Sequence, residues 1–400
     1  MGKVVAKGYP VDEQSTHKST RGGAGIRRIL PGAQESMRTS EYRMIESVEI
    51  QKFRAFKQTE MRGLSRVNVI VGDNGVGKTA LLEALFIATA SNPEIATRFR
   101  QWRGADNPAA TGTAQEIYDG LFLDLFHNMS RDSIPFISVT GSANDSRSLR
   151  IFYDVGEPTV LPFDTTPRHP ALSGYTPITF EWKDAEGAIT KSTPRLQAGG
   201  LAIPPLPPVT LDASFIAARA PFPTSQNARW FSEFSKRGRE KKFISAMQAQ
   251  FEYIESLTVE VDMGNPVLFV KLPWIESKMP IYLASDGMNK LMTILLHIAH
   301  SQGTSTFIDE IENGVHHSRH PRLWEQLLTF ADEYDTQIFA ATHSWEYLQA
   351  GAPLIEKFPD DFTLLQVYQE DGISDVTVIP GKNAGAAIAS DLEVRVKRKR

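Results

Sequence analysis

The stretch Gly72-Asp73-Asn74-Gly75-Val76-Gly77-Lys78-Thr79 decides how this chain reads. It fits the pattern G-x-x-x-x-G-K-[ST] at every fixed position, and its flanks supply the context that such a loop needs. Upstream, Val67, Val69, Ile70 and Val71 form a short β-branched run with the character of a buried parallel strand. Downstream, Leu81, Leu82, Leu85 and Phe86 recur at helical spacing. In a strand–loop–helix unit the glycines let successive backbone N–H groups face inward as an anion nest. The helix that follows turns its positive end to the same phosphates. Gly72, Asn74, Gly75 and Gly77 are the expected phosphate cradle, Lys78 the residue that reaches the β- and γ-phosphates, and Thr79 the hydroxyl that binds Mg²⁺.

Hydrolysis needs more than a phosphate cradle: an acid to hold the metal and a base to activate water. Thr306-Phe307-Ile308-Asp309-Glu310 offers both, because a short apolar run delivers two carboxylates at the C-terminal end of a strand, where ligands bind in open α/β sheets. Asp309 is expected to hold Mg²⁺ and Glu310 to orient and deprotonate the attacking water. A second buried run, Gln337-Ile338-Phe339-Ala340, leads to Ala341-Thr342-His343-Ser344 and sets a lone histidine at a strand end. By itself His343 reads equally as a structural histidine. Ala284-Ser285-Asp286-Gly287-Met288-Asn289-Lys290 opens an apolar helix with a capping Ser or Asp and a glycine free to approach a phosphate, and by itself is only a helix start.

These four segments, in this order, resemble the ABC-type ATPases of the SMC, RecF and OLD superfamily. The strings Asp309-Glu310-Ile311-Glu312-Asn313-Gly314-Val315-His316 and Gln337 to Ser344 are similar to the OLD-like branch, with Val315, His317 and Lys290 as departures from its usual Leu, Pro and Arg. The resemblance implies an α/β P-loop fold of ABC type: a mixed sheet with a parallel core, an antiparallel β subdomain and an inserted helical subdomain. It implies that Ser285, Gly287 and Lys290 form the signature that meets the nucleotide of a second subunit, that His343 senses the γ-phosphate, and that Asn313 and His316 lie in the D-loop joining two sites. ATP and Mg²⁺ are the implied ligands, in a head-to-tail homodimer or higher homo-oligomer. The glutamine that links metal to the inserted subdomain in such proteins has no motif here; Gln101 and Gln115 are candidates.

The organisation fits an interrupted core. Residues 1–40, rich in Gly, Ser, Thr, Lys and Arg, read as a disordered basic tail, and 391–400 as a second basic tail. Residues 44–90 and 281–390 form the expected nucleotide-binding core, and 91–280 an insertion. Ile45 to Phe53 alternates as a half-buried strand does. The insertion looks helical to about Met129 and strand-like from Ile134 to about Thr190. It then passes a Pro-rich connector at Ile203 to Val209 and carries one long amphipathic helix over residues 227 to 256. No parallel buried strand is expected in it before about residue 304. Asp361 to Pro380 reads as a closing strand pair around Asp371-Gly372.

Composition narrows the function further. The net charge is −4, yet the first 40 residues carry a surplus of +4 and the last ten +3, leaving an acidic body of about −11. A protein that coats nucleic acid over a broad face has the opposite balance, although the cluster Lys236-Arg237-Gly238-Arg239 with Lys241-Lys242 keeps nucleic acid as a candidate partner. With no cysteine, thiolate zinc sites and cysteine nucleophiles are excluded, and His316, His317 and His320 lack the pattern of a zinc site. No signal segment or membrane-length apolar run is visible, so a cytoplasmic protein is expected. Only 57 residues follow His343, too few for the TOPRIM nuclease domain that many OLD proteins carry. Two functions remain. One is a nucleotide-gated sensor or scaffold controlling a separate effector, as implied for anti-phage systems such as PARIS, with a TOPRIM nuclease, and Septu, with an HNH nuclease. The other is a RecF-like repair ATPase that clamps DNA.

Overall fold

The computed structural model describes residues 44–90, 94–103, 113–142, 146–156, 174–197, 200–204, 213–218 and 224–395. The expected tail at 1–40, most of the Pro-rich connector and the last five residues of the C-terminal basic run lie outside them. All of the described residues belong to the unit Tyr42–Arg400.

β1 (Ile45–Phe53) alternates buried and more exposed positions and turns at Arg54-Ala55 into β2 (Phe56–Arg62). β3 (Val67–Val71) is buried at all five positions and leads through the glycine loop into α1 (Lys78–Ala90), buried on every side from Ala80 to Thr89. α2 (Glu94–Trp102) and α3 (Ala114–Phe122) follow. α3 starts on a capping box in which Thr113 and Glu116 satisfy each other's backbone N–H. β4 (Phe136–Gly141), β5 (Ser146–Tyr153), β6 (Ile178–Lys183) and β7 (Ile189–Ser192) are the antiparallel strands expected in this region. β8 (Arg195–Gln197) and β9 (Gly200–Ala202) pair as a small hairpin.

Two expectations for the next stretch are corrected. β10 (Ser214–Ile216) is a parallel strand paired with Thr306–Ile308, well before residue 304. The single helix expected over residues 227 to 256 is two, α4 (Thr224–Lys236) and α5 (Glu240–Gln250). Gly238 takes φ +71°, and the Arg239 N–H reaches back to the Phe234 carbonyl, so the basic cluster sits at a helix end rather than along a helix. The chain then forms β11 (Ser256–Asp262), β12 (Asn265–Lys271) and β13 (Met279–Pro280), a separate antiparallel sheet.

α6 (Ile281–Ala284) and α7 (Asp286–His300) lead to β14 (Ser305–Ile308); α8 (His320–Glu333), β15 (Gln337–Ala341) and α9 (Trp345–Lys357) follow. The chain closes with β16 (Phe362–Glu370), β17 (Ile373–Pro380) and α10 (Gly381–Ala389). The last two strands are the expected pair around Asp371-Gly372.

The strand order of the main sheet is β10-β14-β15-β3-β16-β17-β2-β1-β4-β5-β6-β7. From β10 to β16 neighbouring strands run parallel, which puts β3 between β15 and β16 inside the parallel block. The strands from β2 to β7 are antiparallel, and one parallel bridge, Ser374↔Phe56, joins the two blocks. Both faces are covered, so the central strands are buried on both sides and mostly apolar, with Asn68 and Gln337 among the fully buried polar exceptions. Val67, Val69 and Val71 face the cluster that contains α4, α5 and α7 to α10, while Ile70 faces the one built from α1, α2 and α3. This is an α/β architecture with a strand–glycine loop–helix unit inside its parallel core, and the antiparallel strands are continuous with that core.

Candidate functional site

The loop between β3 and α1 has the backbone of an anion nest. Gly72, Gly75 and Gly77 take φ of +153°, +81° and +110°, where a side chain is disfavoured. Space forbids one as well: a Cβ on Gly72 would lie 2.3 Å from the Val367 carbonyl oxygen. The Ser374 hydroxyl of β17 donates to the Val76 carbonyl at 2.6 Å. Because a trans peptide sets its N–H opposite its C=O, this bond aims the Gly77 N–H away from Ser374. Lys78 Nζ donates to the carbonyls of Gly72 and Asp73, both at 2.8 Å. Burial pulls the Lys78 ammonium below its ordinary value, and Asp309, Glu312, Glu310 and Asp73 act against that pull.

β14 ends at Ile308 and releases Asp309 beside this loop, with the Asp309 N–H bonded to the Ile216 carbonyl at 2.8 Å. Thr79 Oγ1 donates to Asp309 Oδ2 at 2.9 Å across 230 residues of sequence. Burial pushes the Asp309 carboxyl up, and the Thr79 hydrogen bond opposes it. A half-buried hydroxyl and a buried carboxylate in contact are the hard oxygen donors that Mg²⁺ takes, so the residues present fit the ion. Glu310 stands next to them with φ +46°, a left-handed conformation unusual for its residue type, and its Oε2 accepts a short bond from Asn313 Nδ2.

His343 follows β15 and lies on Glu312. Glu312 Oε1 accepts from the backbone N–H groups of His343 at 3.1 Å and Ser344 at 3.2 Å, and lies 3.2 Å from His343 Nδ1. Glu312, 8% exposed, was not among the expected site residues; its position two after Glu310 was the available signal. Ser344 caps α9 by accepting from the Tyr347 N–H at 3.1 Å.

The expected signature divides in two. Ser285 caps α7, and it and Asp286 are reachable from solvent. Gly287 and Lys290 are buried in their own chain, which corrects the expectation that this glycine is free to approach a phosphate. A Cβ on Gly287 would lie 2.5 Å from the Gly314 carbonyl oxygen, so the glycine serves the close approach of α7 to the loop after Glu310. Burial pulls the Lys290 ammonium down to about 8 against the attraction of Asp309, Glu312 and Glu310. His316 is exposed, and its Nδ1 lies 2.9 Å from Ser318 Oγ; His320 is buried, with Nε2 3.2 Å from the Val315 carbonyl oxygen.

Neither glutamine candidate meets these groups. Gln115 is engaged with Asp119 and the Thr176 N–H, and Gln101 is exposed at the end of α2. Another residue of that segment is tied to the helix that follows the glycine loop. Arg103 binds Glu83 bidentately, Nε to Oε1 at 3.0 Å and NH2 to Oε2 at 2.6 Å, and Arg54 Nε lies 3.2 Å from the same carboxylate. Glu83 lies four residues after Thr79, one turn up the same face of α1; its charge acts on Asp309, and that of Asp309 acts on Arg103. A lone carboxylate in the apolar run from Ala80 to Ala90 is the sequence signal that marks it.

Two family models match the chain: "AAA domain, putative AbiEii toxin, Type IV TA system" over residues 213–348, and "AAA ATPase domain" over 44–146. An ATP/GTP phosphatase of Helicobacter pylori is 22% identical over 340 residues, covering 76% of this chain and 87% of that protein. The DNA replication and repair protein RecF of Lachnospira eligens is 34% identical over 58 residues, 14% of this chain and 16% of the relative. Among solved structures, the SMC head bound to the C-winged helix domain of ScpA has TM-score 0.44 at 13% identity, covering 84% of this chain and 97% of that one. The SMC head domain from Thermotoga maritima has TM-score 0.40 at 13% identity, covering 84% and 98%. The two AAA-type ATPase models thus divide one site between them, the first-half match carrying Gly72 to Thr79 and the second carrying Ser285, Asp309, Glu310 and His343.

Proposed function

We propose that this chain binds and hydrolyses ATP as an Mg²⁺-dependent ATPase of SMC- and RecF-like ABC type, and that it acts as a nucleotide-gated switch. The observation that carries the proposal is the 2.9 Å contact of Thr79 with Asp309, which unites the loop and the strand-end acid at one point. The glycine loop and Lys78 bind the phosphates, and Thr79 and Asp309 hold the metal, which supplies charge neutralisation on the phosphate oxygens. Glu310 accepts a proton from the attacking water once Asn313 releases its carboxylate, and His343 senses the phosphate that leaves. Ser285, on the solvent side, completes the nucleotide site of a second copy. In this reading Asn313 and His316 belong to the segment that passes the state of one site to the other.

The biological role follows as a finer proposal: a cytoplasmic OLD-like homo-oligomer that holds and releases a separate effector, a TOPRIM or HNH nuclease, in anti-phage defence. The toxin–antitoxin wording of the family model over residues 213–348 and the acidic body of the chain support it. No helix among the described residues is long and apolar enough to cross a membrane.

Glu310→Gln is expected to keep ATP affinity and lose at least a hundredfold in hydrolysis, the range for removing a general base. Phosphate release measured with and without Mg²⁺, beside equilibrium nucleotide binding, tests this, and unaltered turnover in the variant would exclude Glu310 as the base. The effector is then sought among proteins that co-purify with the trapped variant. The short RecF match and the Lys236 to Lys242 cluster favour a second reading, DNA clamping. Sub-micromolar duplex binding with a steep salt slope near physiological ionic strength would select it over the effector scaffold.

A further inference from the structure

The C-terminal basic run reads in sequence as a solvated terminus, but Arg395 is fixed on the switch histidine. Its NH1 donates to the His343 carbonyl at 2.8 Å. The guanidinium is held for that bond by Glu393, Nε to Oε1 at 2.8 Å and NH2 to Oε2 at 2.7 Å, and it lies over the Trp345 ring at 5.6 Å. The segment that carries it is anchored through two further residues, Asp391 and Val394. Asp391 Oδ1 accepts from Trp345 Nε1 at 3.2 Å and from Gln349 Nε2 at 3.1 Å on α9. The Val394 side chain is buried in the core, and its carbonyl accepts from Gln366 Nε2 at 2.7 Å.

The peptide between His343 and Ser344 is therefore gripped from both sides. A trans peptide has its C=O and N–H on opposite edges. Arg395 takes the His343 C=O, and Glu312 takes the Ser344 N–H and the His343 N–H. The ring follows the backbone because Nδ1 lies on the same Glu312 oxygen, so Nε2 is the nitrogen left for another partner. The acids around Arg395 are Glu393, Asp73 of the glycine loop and Glu346, so the clasp closes next to the phosphate cradle.

We infer that Arg395 is a positioning residue for His343, and that residues 391–395 form a clasp through which the C-terminal end of the chain sets the geometry of the switch. The inference rests on the ATPase reading for its kinetic consequence but not for its structural one. A guanidinium bond to a carbonyl is worth about a tenfold change in an equilibrium it holds. In nucleotide-free protein, Arg395→Ala is expected to raise amide exchange about tenfold in the peptide spanning residues 341–347, with the thermal midpoint and the exchange of β3 and β14 unchanged. In steady-state hydrolysis it is expected to lower kcat about tenfold and leave KM for ATP within about twofold.

Glu393→Gln, which loosens the guanidinium without removing it, should change both readouts in the same direction by less. Unaltered local exchange overturns the clasp. A raised KM with kcat intact overturns the positioning role, because it assigns Arg395 to the phosphates, and unaltered kinetics in an active enzyme overturns it too. Should the unsubstituted protein hydrolyse no ATP, the ATPase reading fails on that result, and the exchange measurement still decides whether Arg395 holds the switch peptide.

Discussion

Burial of the Lys290 ammonium, 3% exposed, costs folding free energy that its acid neighbours only partly return. The sign follows from the direction of the shift. The folded value of about 8 lies below the ordinary 10.5, so the unfolded chain holds a proton that the folded chain gives up between those values. Stability contributed at this position is lowest below about pH 8 and rises as the pH goes from about 8 to 10.5. Lys290→Met, similar in volume and uncharged, is therefore predicted to raise stability at pH 7 by roughly 2–3 kcal/mol, with the gain fading toward pH 10.5. Urea denaturation of both proteins at pH 7 and 10 checks this, and a gain that is equal at the two values would mean that packing and not charge is responsible. A penalty of this size is tolerated where a cation is needed, here beside Asp309, Glu310 and Glu312, so the more stable variant is also expected to hydrolyse ATP more slowly.

Gln337 shows how one side chain locks two elements. It is fully buried at the start of β15, where its Oε1 accepts from the Ile45 N–H and its Nε2 donates to the carbonyls of Ile45 and Ser65, each at 2.9 Å. The N-terminal end of β1, and with it the antiparallel block, is tied to the parallel core by these bonds. Gln337→Leu keeps the volume and strands three backbone groups, so a loss of about 2–4 kcal/mol is expected from urea denaturation with an unchanged m value. A loss below about 0.5 kcal/mol would show that water or a backbone shift satisfies them. The same element shows what is legible in a sequence. Gln337 to Ala341 reads as a buried strand from its apolar run, as do β3 and β14, and the glycine loop announces its own backbone because few residues can take those φ values. The partners of Gln337 do not read, because Ile45 and Ser65 are nearly 300 residues away. Glu83 with Arg54 and Arg103, and Glu312 with His343, are only 20 to 31 residues apart, yet they are hidden too, because each pair joins different elements and no helical or strand period links them. β10 escapes because three residues give no period, and the α4–α5 break escapes because one glycine in an amphipathic pattern is weak evidence until its φ is known.

At the scale of the molecule the question is whether one copy suffices. Ser285 and Asp286 are reachable from solvent at the N-terminus of α7, while Lys78, Thr79, Asp309 and Glu310 gather where the glycine loop meets the end of β14. A head-to-tail pair would bring the first group of one copy to the second group of the other, with two equal sites related by twofold symmetry. Gly287 is a poor position at which to test this, since any side chain there meets the Gly314 carbonyl and disturbs the fold. Ser285→Asp is better, because Asp caps a helix as well as Ser and adds a charge that repels a phosphate. It is predicted to leave the thermal midpoint unchanged and to abolish hydrolysis. Lys78→Ala is predicted to abolish hydrolysis from the other side of the site. In a one-to-one mixture about half of the dimers are mixed, and each has one site built from two intact halves, so about a quarter of the original activity should return. A mixture no more active than its parts, or a wild-type monomer that hydrolyses ATP at full rate when diluted, would show that the second copy contributes nothing to the site.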